Sequence, residues 1–365
     1  MRGAISLGRL FGVLIEIHWT FLFIIVWAVY DGWRRGGTVS SALWTTALVL
    51  TIFVCVVLHE LGHSLAARRY GIATKRITLL PIGGVASLER MPEEPRQELV
   101  VAMAGPAVNI VIAAILFPFV YPQLHVFADP EEAQVFFTTI RAENFLVYLF
   151  LTNIMLVLFN AIPAFPMDGG RVLRALLSFR LNRVRATQIA AYLGQMIAIL
   201  FFFLGFFSNP FLILIGLFVF FGASGEYSMI RQLSGLQGHQ VREAMMRNFT
   251  ILQPDDDLHR VAEALLAGTE RNFPVADENG TLTGILYHSA VLAAFQQKRN
   301  DLTVSDLMER DFTPLSPDEQ LTEVYRLATE RQDRFFPVLE YGKLIGTIDM
   351  DNINEFLLIQ AGLEY

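Results

Sequence analysis

The chain has 365 residues, of which 53% are hydrophobic and only 17% charged, and a formal net charge of −7. Soluble chains carry about 25% charged residues, so a wholly soluble globular protein is excluded. With no basic run and no stacking-aromatic pattern, nucleic acid is not expected as a partner. The deficit of charge is uneven: the chain is apolar and aromatic up to about Arg231, while Gln237 to Tyr365 read as an ordinary soluble segment. This shift predicts a membrane domain over 1–233, a linker over 234–240 containing Gly235 and Gly238, and a soluble domain over 241–365.

In chain order, the first predicted membrane span is Leu10–Tyr30. Arg2 and Arg9 precede it, but no small-residue cleavage site follows, so an uncleaved span is expected rather than a signal peptide. On a helix its Glu16 and His18 point to different faces and make a poor ligand pair, leaving His18 to hydrogen-bond within the bundle. The second span, Ala42–Ala67, ends in His59-Glu60-Leu61-Gly62-His63. Helical spacing puts the two imidazoles on one face about one turn (~6 Å) apart, within reach of one tetrahedral Zn²⁺, with Glu60 placed to act on water at the metal. Ionisable groups at membrane depth cost about 2.5–3.5 kcal/mol each on insertion scales, so three together call for a functional reason. Cys55, the lone cysteine, reads as a small buried hydrophobe.

Next, Lys75–Leu88 alternates imperfectly and is β-prone. Its Gly83-Gly84 has two readings: an ordinary hairpin turn, or part of a strand whose edge holds an extended peptide. The third span, Gln97–Tyr121, contains Gly105-Pro106, suited to close helix approach, and Asn109, a candidate to order the metal site from behind. The fourth, Asn144–Phe165, carries Asn153 and Asn160 and runs into Pro163, Pro166, Asp168, Gly169 and Gly170. The prolines break the helix, and broken backbone at membrane depth is tolerated where it is buried or lines a polar cavity. Glycine dihedral freedom would let the carboxylate point in an unusual direction. Asp168 is therefore either the third metal ligand that two histidines lack, or the N-cap of a following helix. Spans five and six are Thr187–Phe207 and Pro210–Tyr227. Basic residues gather on one side (Arg68, Arg69, Lys75, Arg76, Arg90, Arg96, then Arg171, Arg174, Arg180, Arg183, Arg185), against Arg34, Arg35 and Arg141 on the other. The positive-inside rule then places both termini and the soluble domain in the cytoplasm of a multi-pass protein of the cell membrane.

The soluble segment repeats itself. Val241-Arg-Glu-Ala-Met-Met before Phe249-Thr250 parallels Val304-Ser-Asp-Leu-Met before Phe312-Thr313. Each copy continues through Pro-Asp, an amphipathic helix, a Phe-Pro-Val strand (Phe273, Phe336) and a glycine (Gly284, Gly346), giving copies of about 241–299 and 300–365.

On these residues the chain resembles the site-2 proteases, intramembrane zinc metalloproteases of the M50 type. His59-Glu60-x-x-His63 matches their zinc-and-base motif. Asn160-x-x-Pro163-x-x-Pro166-x-Asp168-Gly169 is similar to their second motif, in which the aspartate is the third zinc ligand. Gly105-Pro106-Ala-Val-Asn109 and His18-Trp19-Thr20-Phe21 resemble the family's intervening and first helices, and Gly83-Gly84 its membrane-associated strand region. The tail resembles a CBS-domain pair, a type that commonly binds adenine nucleotides. The residues at its ribose-contact positions, Tyr287 and Ala290 in one copy and Asp349 and Asn352 in the other, fit that use poorly.

The resemblance implies a six-helix transmembrane bundle with a small membrane-associated β region, followed by a cytoplasmic α+β CBS pair. It implies one Zn²⁺ per chain on His59, His63 and Asp168, with Glu60 as general base. Asn160, and more weakly Asn153, are candidates for an oxyanion or substrate-orienting donor, against simple interhelical bonding. The expected substrate is a single-span membrane protein cut in or near its transmembrane segment. The CBS pair is expected to regulate or to form a homodimer, with an adenine nucleotide as its candidate ligand. A CBS-regulated cation transporter or channel, and an inactive protease-like scaffold, are the competing readings.

Overall fold

The computed structural model describes residues 3–81, 83–88, 91–129, 131, 134, 136–268, 270–299, 301–330 and 335–363. Arg2, ahead of the first predicted span, Ile82 of the β-prone segment and Arg90 of the basic side lie outside the described residues. The chain divides into two compact units, Met1–Ile230 and Arg231–Tyr365.

The first unit begins with a hairpin, β1 (Ala4–Leu10) and β2 (Val13–His18), followed by α1 (Phe21–Gly36) and the long α2 (Val39–Arg68). A second hairpin, β3 (Thr74–Leu80) and β4 (Gly83–Leu88), precedes α3 (Pro95–Val120), a 3-10 turn at Tyr121–Ala128 and α4 (Ala142–Asn160). Then come the short α5 (Asp168–Ser178), α6 (Arg183–Phe207) and α7 (Phe211–Leu236). Local chemistry sets the ends. Thr38 accepts from the Ser41 amide to start α2, Asn182 accepts from the Arg185 amide to start α6, and Pro163 with a cis Phe165–Pro166 bond follows α4. Among the described residues, five helices, α2, α3, α4, α6 and α7, are long and apolar enough to cross a membrane.

The first predicted span is a correction. Leu10–Tyr30 is not one helix: it holds strand β2 and most of α1, whose 16 residues reach only about 24 Å against a hydrocarbon core of about 30 Å. Val13 and Ile15 of β2 pack with Leu61 and Val57 of α2, while Phe21 of α1 meets Phe53 edge-on at 4.6 Å. Further along, a Cβ on Gly32 would come within 2.8 Å of Ala42 Cα, so the two helices touch there through their backbones. Strand and helix thus lie end to end along α2, and hydropathy adds their two apolar faces into one apparent span. Because β2 is a strand, Glu16 and His18 share a face instead of facing apart. Glu16 lies 3.7 Å from Arg76, and the His18 imidazole bonds the neighbouring Thr20 hydroxyl at 2.7 Å.

The two hairpins form one four-stranded sheet in the order β1-β2-β3-β4, with β2 and β3 parallel. The β-prone segment is therefore a hairpin, and β4 is an edge strand with no further neighbour among the described residues.

The second unit repeats one plan twice. Helices α8 (Val241–Ala244) and α9 (Leu258–Ala267), strands β5 (Phe273–Ala276) and β6 (Leu282–Leu286) and helix α10 (His288–Gln296) form the first copy. Helices α11 (Val304–Leu307) and α12 (Leu321–Glu330), strands β7 (Phe335–Glu340) and β8 (Lys343–Asp349) and helix α13 (Met350–Leu363) form the second. The copies interlock: Met246 bridges to Thr347, and Glu309 to Ile285. The repeated glycines follow from this exchange. A Cβ at Gly284 would meet Met308 Sδ at 2.8 Å, and one at Gly346 would meet Met245 Sδ at 2.7 Å.

The expected linker is also corrected. Ser234–Leu236 complete α7, and Leu236 is fully buried in a core with Val241, Leu321, Phe336 and Ile348. Leu236→Ala should therefore destabilise the C-terminal unit by about 2–5 kcal/mol, read as lost hydrogen-exchange protection in β7 and β8 of the detergent-solubilised chain. Unchanged protection would mean that Leu236 belongs to a solvated tether.

Candidate metal centre

Helix α2 presents His59 and His63 one turn apart with their Nε2 atoms 3.1 Å from each other. Asp168, first residue of α5, brings Oδ2 to 3.2 Å from His59 Nε2 and 3.0 Å from His63 Nε2. All three side chains are buried, and they are the one His/Cys/Asp/Glu group among the described residues arranged to hold a metal ion. Tetrahedral zinc with bonds of about 2.0–2.1 Å separates its ligand atoms by about 3.3 Å, close to this spacing.

The opposite ring nitrogens decide which way the lone pairs point. His63 Nδ1 lies 2.7 Å from the carbonyl of Val101, which only accepts, so Nδ1 carries the proton. His59 Nδ1 meets Asn109 Oδ1 at 2.5 Å, and the orientation of that amide is set in turn because Asn109 Nδ2 donates to Asn153 Oδ1 at 2.8 Å. Asn153 Nδ2 donates onward to the Leu149 carbonyl at 2.8 Å. Both Nε2 lone pairs and a carboxylate oxygen are thus aimed at one point. Three such atoms converging in a buried site fit a cation between them, and two imidazoles with a carboxylate form a donor set that zinc accepts.

Small residues make the convergence possible. A Cβ at Gly105 of α3 would overlap the His63 ring and come within 2.7 Å of His59 Nε2. A Cβ at Gly62 would come within 2.7 Å of the Ala104 carbonyl, so α2 and α3 cross closely at the metal site. Gly169 and Gly170 serve differently from expectation: they lie inside α5 without positive φ, and what they supply is room. A Cβ on Gly170 would sit 2.6 Å from Phe165 N, and one on Gly169 would strike the carbonyls of Ala161 and Ile162. Met167, not Asp168, occupies the N-cap of α5, so the capping reading of Asp168 is set aside.

The remaining candidates are distributed unequally. Glu60 lies beside β4, where a Cβ on Gly84 would be 3.0 Å from Glu60 Cγ and 3.7 Å from Cδ, and Gly83 opens the same strand. Asn109 and Asn153 form the relay behind His59, whereas Asn160 Nδ2 donates back to Leu156 O of its own helix at 3.0 Å. Asp349 and Asn352 bond each other's backbone amides at 2.9 and 3.0 Å across the first turn of α13, a capping arrangement. Burial pushes the Asp349 carboxyl above its usual range. Sequence reasoning missed the Val101 carbonyl, which has no side-chain signature. It also missed a buried ionic cluster of Arg174, Glu98 and Glu226, for which the acidic residues embedded in apolar spans were the available signal.

The chain is similar to several known proteins. Residues 47–204 match the family model Peptidase family M50, and residues 241–297 and 304–359 each match CBS domain. The zinc metalloprotease MJ0392 of Methanocaldococcus jannaschii is 35% identical over 354 residues, covering 97% of this chain and 96% of that one. Stage IV sporulation protein FB of Bacillus subtilis is 30% identical over 142 residues, covering 39% of this chain and 44% of its own. A solved site-2 protease from Methanocaldococcus jannaschii is 37% identical, covers 61% of this chain and 95% of its own, and gives a TM-score of 0.43. With likeness extending over nearly its whole length, the chain belongs to the M50 family of site-2-protease-type zinc metalloproteases, a multi-pass membrane enzyme that carries a CBS domain pair.

Proposed function

We propose that this enzyme hydrolyses a peptide bond in or near the transmembrane segment of a single-span substrate, with His59, His63 and Asp168 holding one zinc ion. The observation that carries the reading is the convergence of three buried donors within 3.0–3.2 Å on helices of a membrane unit, next to a glutamate and an unpaired strand edge. Zinc, when bound, supplies the Lewis acidity that makes water nucleophilic near neutral pH. Glu60 is displaced about 100° round α2 from His59, so it is no part of the donor triad and can accept a proton from water and hand it to the leaving amine. Asn160 becomes a donor to the substrate carbonyl by exchanging its bond to Leu156 for one to the peptide; Asn153, committed to Asn109, is a positioning group.

A transmembrane helix hides its amides in internal hydrogen bonds, so the cut segment must unwind first. The free edge of β4 offers backbone partners to an unwound segment. Gly84 lets that edge run against Glu60, and Val85 is 44% exposed. The excess of arginine on one side supports a cytoplasmic placement of both termini and of the CBS pair in the cell membrane. The pair then serves regulation or homodimerisation. The mutual capping of Asp349 and Asn352 disfavours them as adenine-nucleotide contacts.

Glu60→Gln should lower cleavage of a co-expressed membrane-anchored substrate by about 10²-fold or more while zinc content stays at one per chain. Asp168→Ala should lower both rate and zinc content. Near wild-type cleavage by the first variant would remove Glu60 as base, and full zinc in the second would remove Asp168 as ligand. A photo-crosslinker at Val85 should capture substrate in the Glu60→Gln enzyme; capture only at β1 positions such as Leu7 would place the substrate elsewhere.

A further inference from the structure

The first unit contains a second buried charge cluster that the chemistry above does not use. Arg174 is fully buried on α5. Its Nε and Nη2 both donate to Glu98 Oε1, at 2.7 and 2.5 Å, and its Nη1 donates to Glu226 Oε1 at 2.6 Å. The guanidinium also stands 4.9 Å from the ring centroid of Phe165, in the turn that leads to Asp168. Arg183 Nη2 lies 3.9 Å from the same Glu98 oxygen. One side chain of α5 therefore grips α3, α7 and the preceding turn at once.

Burying ions is expensive, and apolar side chains of similar volume often hold helices together as well or better, so stability alone is a weak reason for this cluster. What a planar fork bonded to two fixed carboxylates adds is a single register. Register matters here because α2 supplies both histidines through its own geometry, whereas the carboxylate arrives separately on α5. A slip of α5 by one residue would move Asp168 by about 1.5 Å and turn it through about 100°, out of reach of the imidazoles. Glu98 is also well placed as the anchor. With Val101, Gly105 and Asn109 it forms one buried stripe of α3, and the latter three residues touch His63, both imidazoles and His59 respectively.

We propose that Arg174 is a positioning residue for the metal site: through Glu98 and Glu226 it fixes the register of α5, and so the meeting of Asp168 with the two histidines. This rests on Asp168 being a zinc ligand. The test measures zinc affinity by chelator competition and the visible spectrum of the Co²⁺-substituted full chain. Its variants are Arg174→Gln, the neutral triple Glu98→Gln/Arg174→Met/Glu226→Gln, and Asp168→Ala. The triple removes both sides of each Arg174 ion pair and leaves only Arg183, which is 23% exposed and still donates to the Pro92 carbonyl, so it keeps the test sound if Arg174→Gln fails to fold. The expected result is a zinc affinity at least about tenfold weaker in the triple, with an altered Co²⁺ spectrum and a metal-free melting temperature at or above wild type. Wild-type affinity in the triple, with Asp168→Ala weakened, would overturn the positioning role and leave Asp168 a ligand. Wild-type affinity in both would overturn the ligand reading and the positioning role together.

Discussion

The structure turns on three buried acceptors, two imidazole nitrogens and a carboxylate oxygen, brought within 3.0–3.2 Å of one another in a unit built of apolar helices. Without a cation this arrangement is repulsive and poorly solvated. A cation there would tie two helices to one point. Many of the neighbouring residues are intelligible as answers to that requirement. The amide relay from Asn153 through Asn109 and the Val101 carbonyl hold the rings so that their free lone pairs coincide. Missing side chains at Gly62 and Gly105 let the second helix approach closely enough to do so.

Helix α3 emerges as the frame of the site although it contributes no metal donor. Its buried stripe of Glu98, Val101, Gly105 and Asn109 meets, in order, the arginine of α5, one histidine, both histidine rings and the other histidine. The helix that carries the pair and the helix that carries the carboxylate are thereby referred to one common surface. On the opposite flank of α2, the strand-and-helix composite of β2 and α1 replaces a simple span and leaves the sheet edge β4 alongside Glu60. A strand edge beside a glutamate suits the proposed unwinding of a peptide before it is cut.

Much of this was legible in the chain because the relevant physics is local. Histidines four apart on a helix share a face wherever the helix goes, and two prolines ahead of an aspartate announce a broken helix. The repeated Met and Gly positions of the C-terminal unit were visible too, though the reason, a sulfur of one copy packed on a glycine of the other, required the fold. What escaped was non-local or silent. Hydropathy has no means of separating a buried strand followed by a short helix from one long helix, so Leu10–Tyr30 was read as a span. Gly169 and Gly170 suggested unusual dihedrals where space was the need, and a glycine-containing stretch at 234–238 masked a last helical turn ending in the buried Leu236. Arg174 counted only as a basic residue for topology, because its acidic partners lie 76 and 52 residues away in sequence.

The central claim is that a single zinc ion is shared by α2 and α5 through two imidazoles and one carboxylate. Zinc K-edge X-ray absorption on the purified wild-type chain tests it most directly. The account predicts one zinc per chain with two imidazole ligands and the remaining scatterers oxygen, all at about 2.0–2.2 Å. A first shell containing sulfur, a single imidazole, or no bound zinc in active enzyme would contradict it.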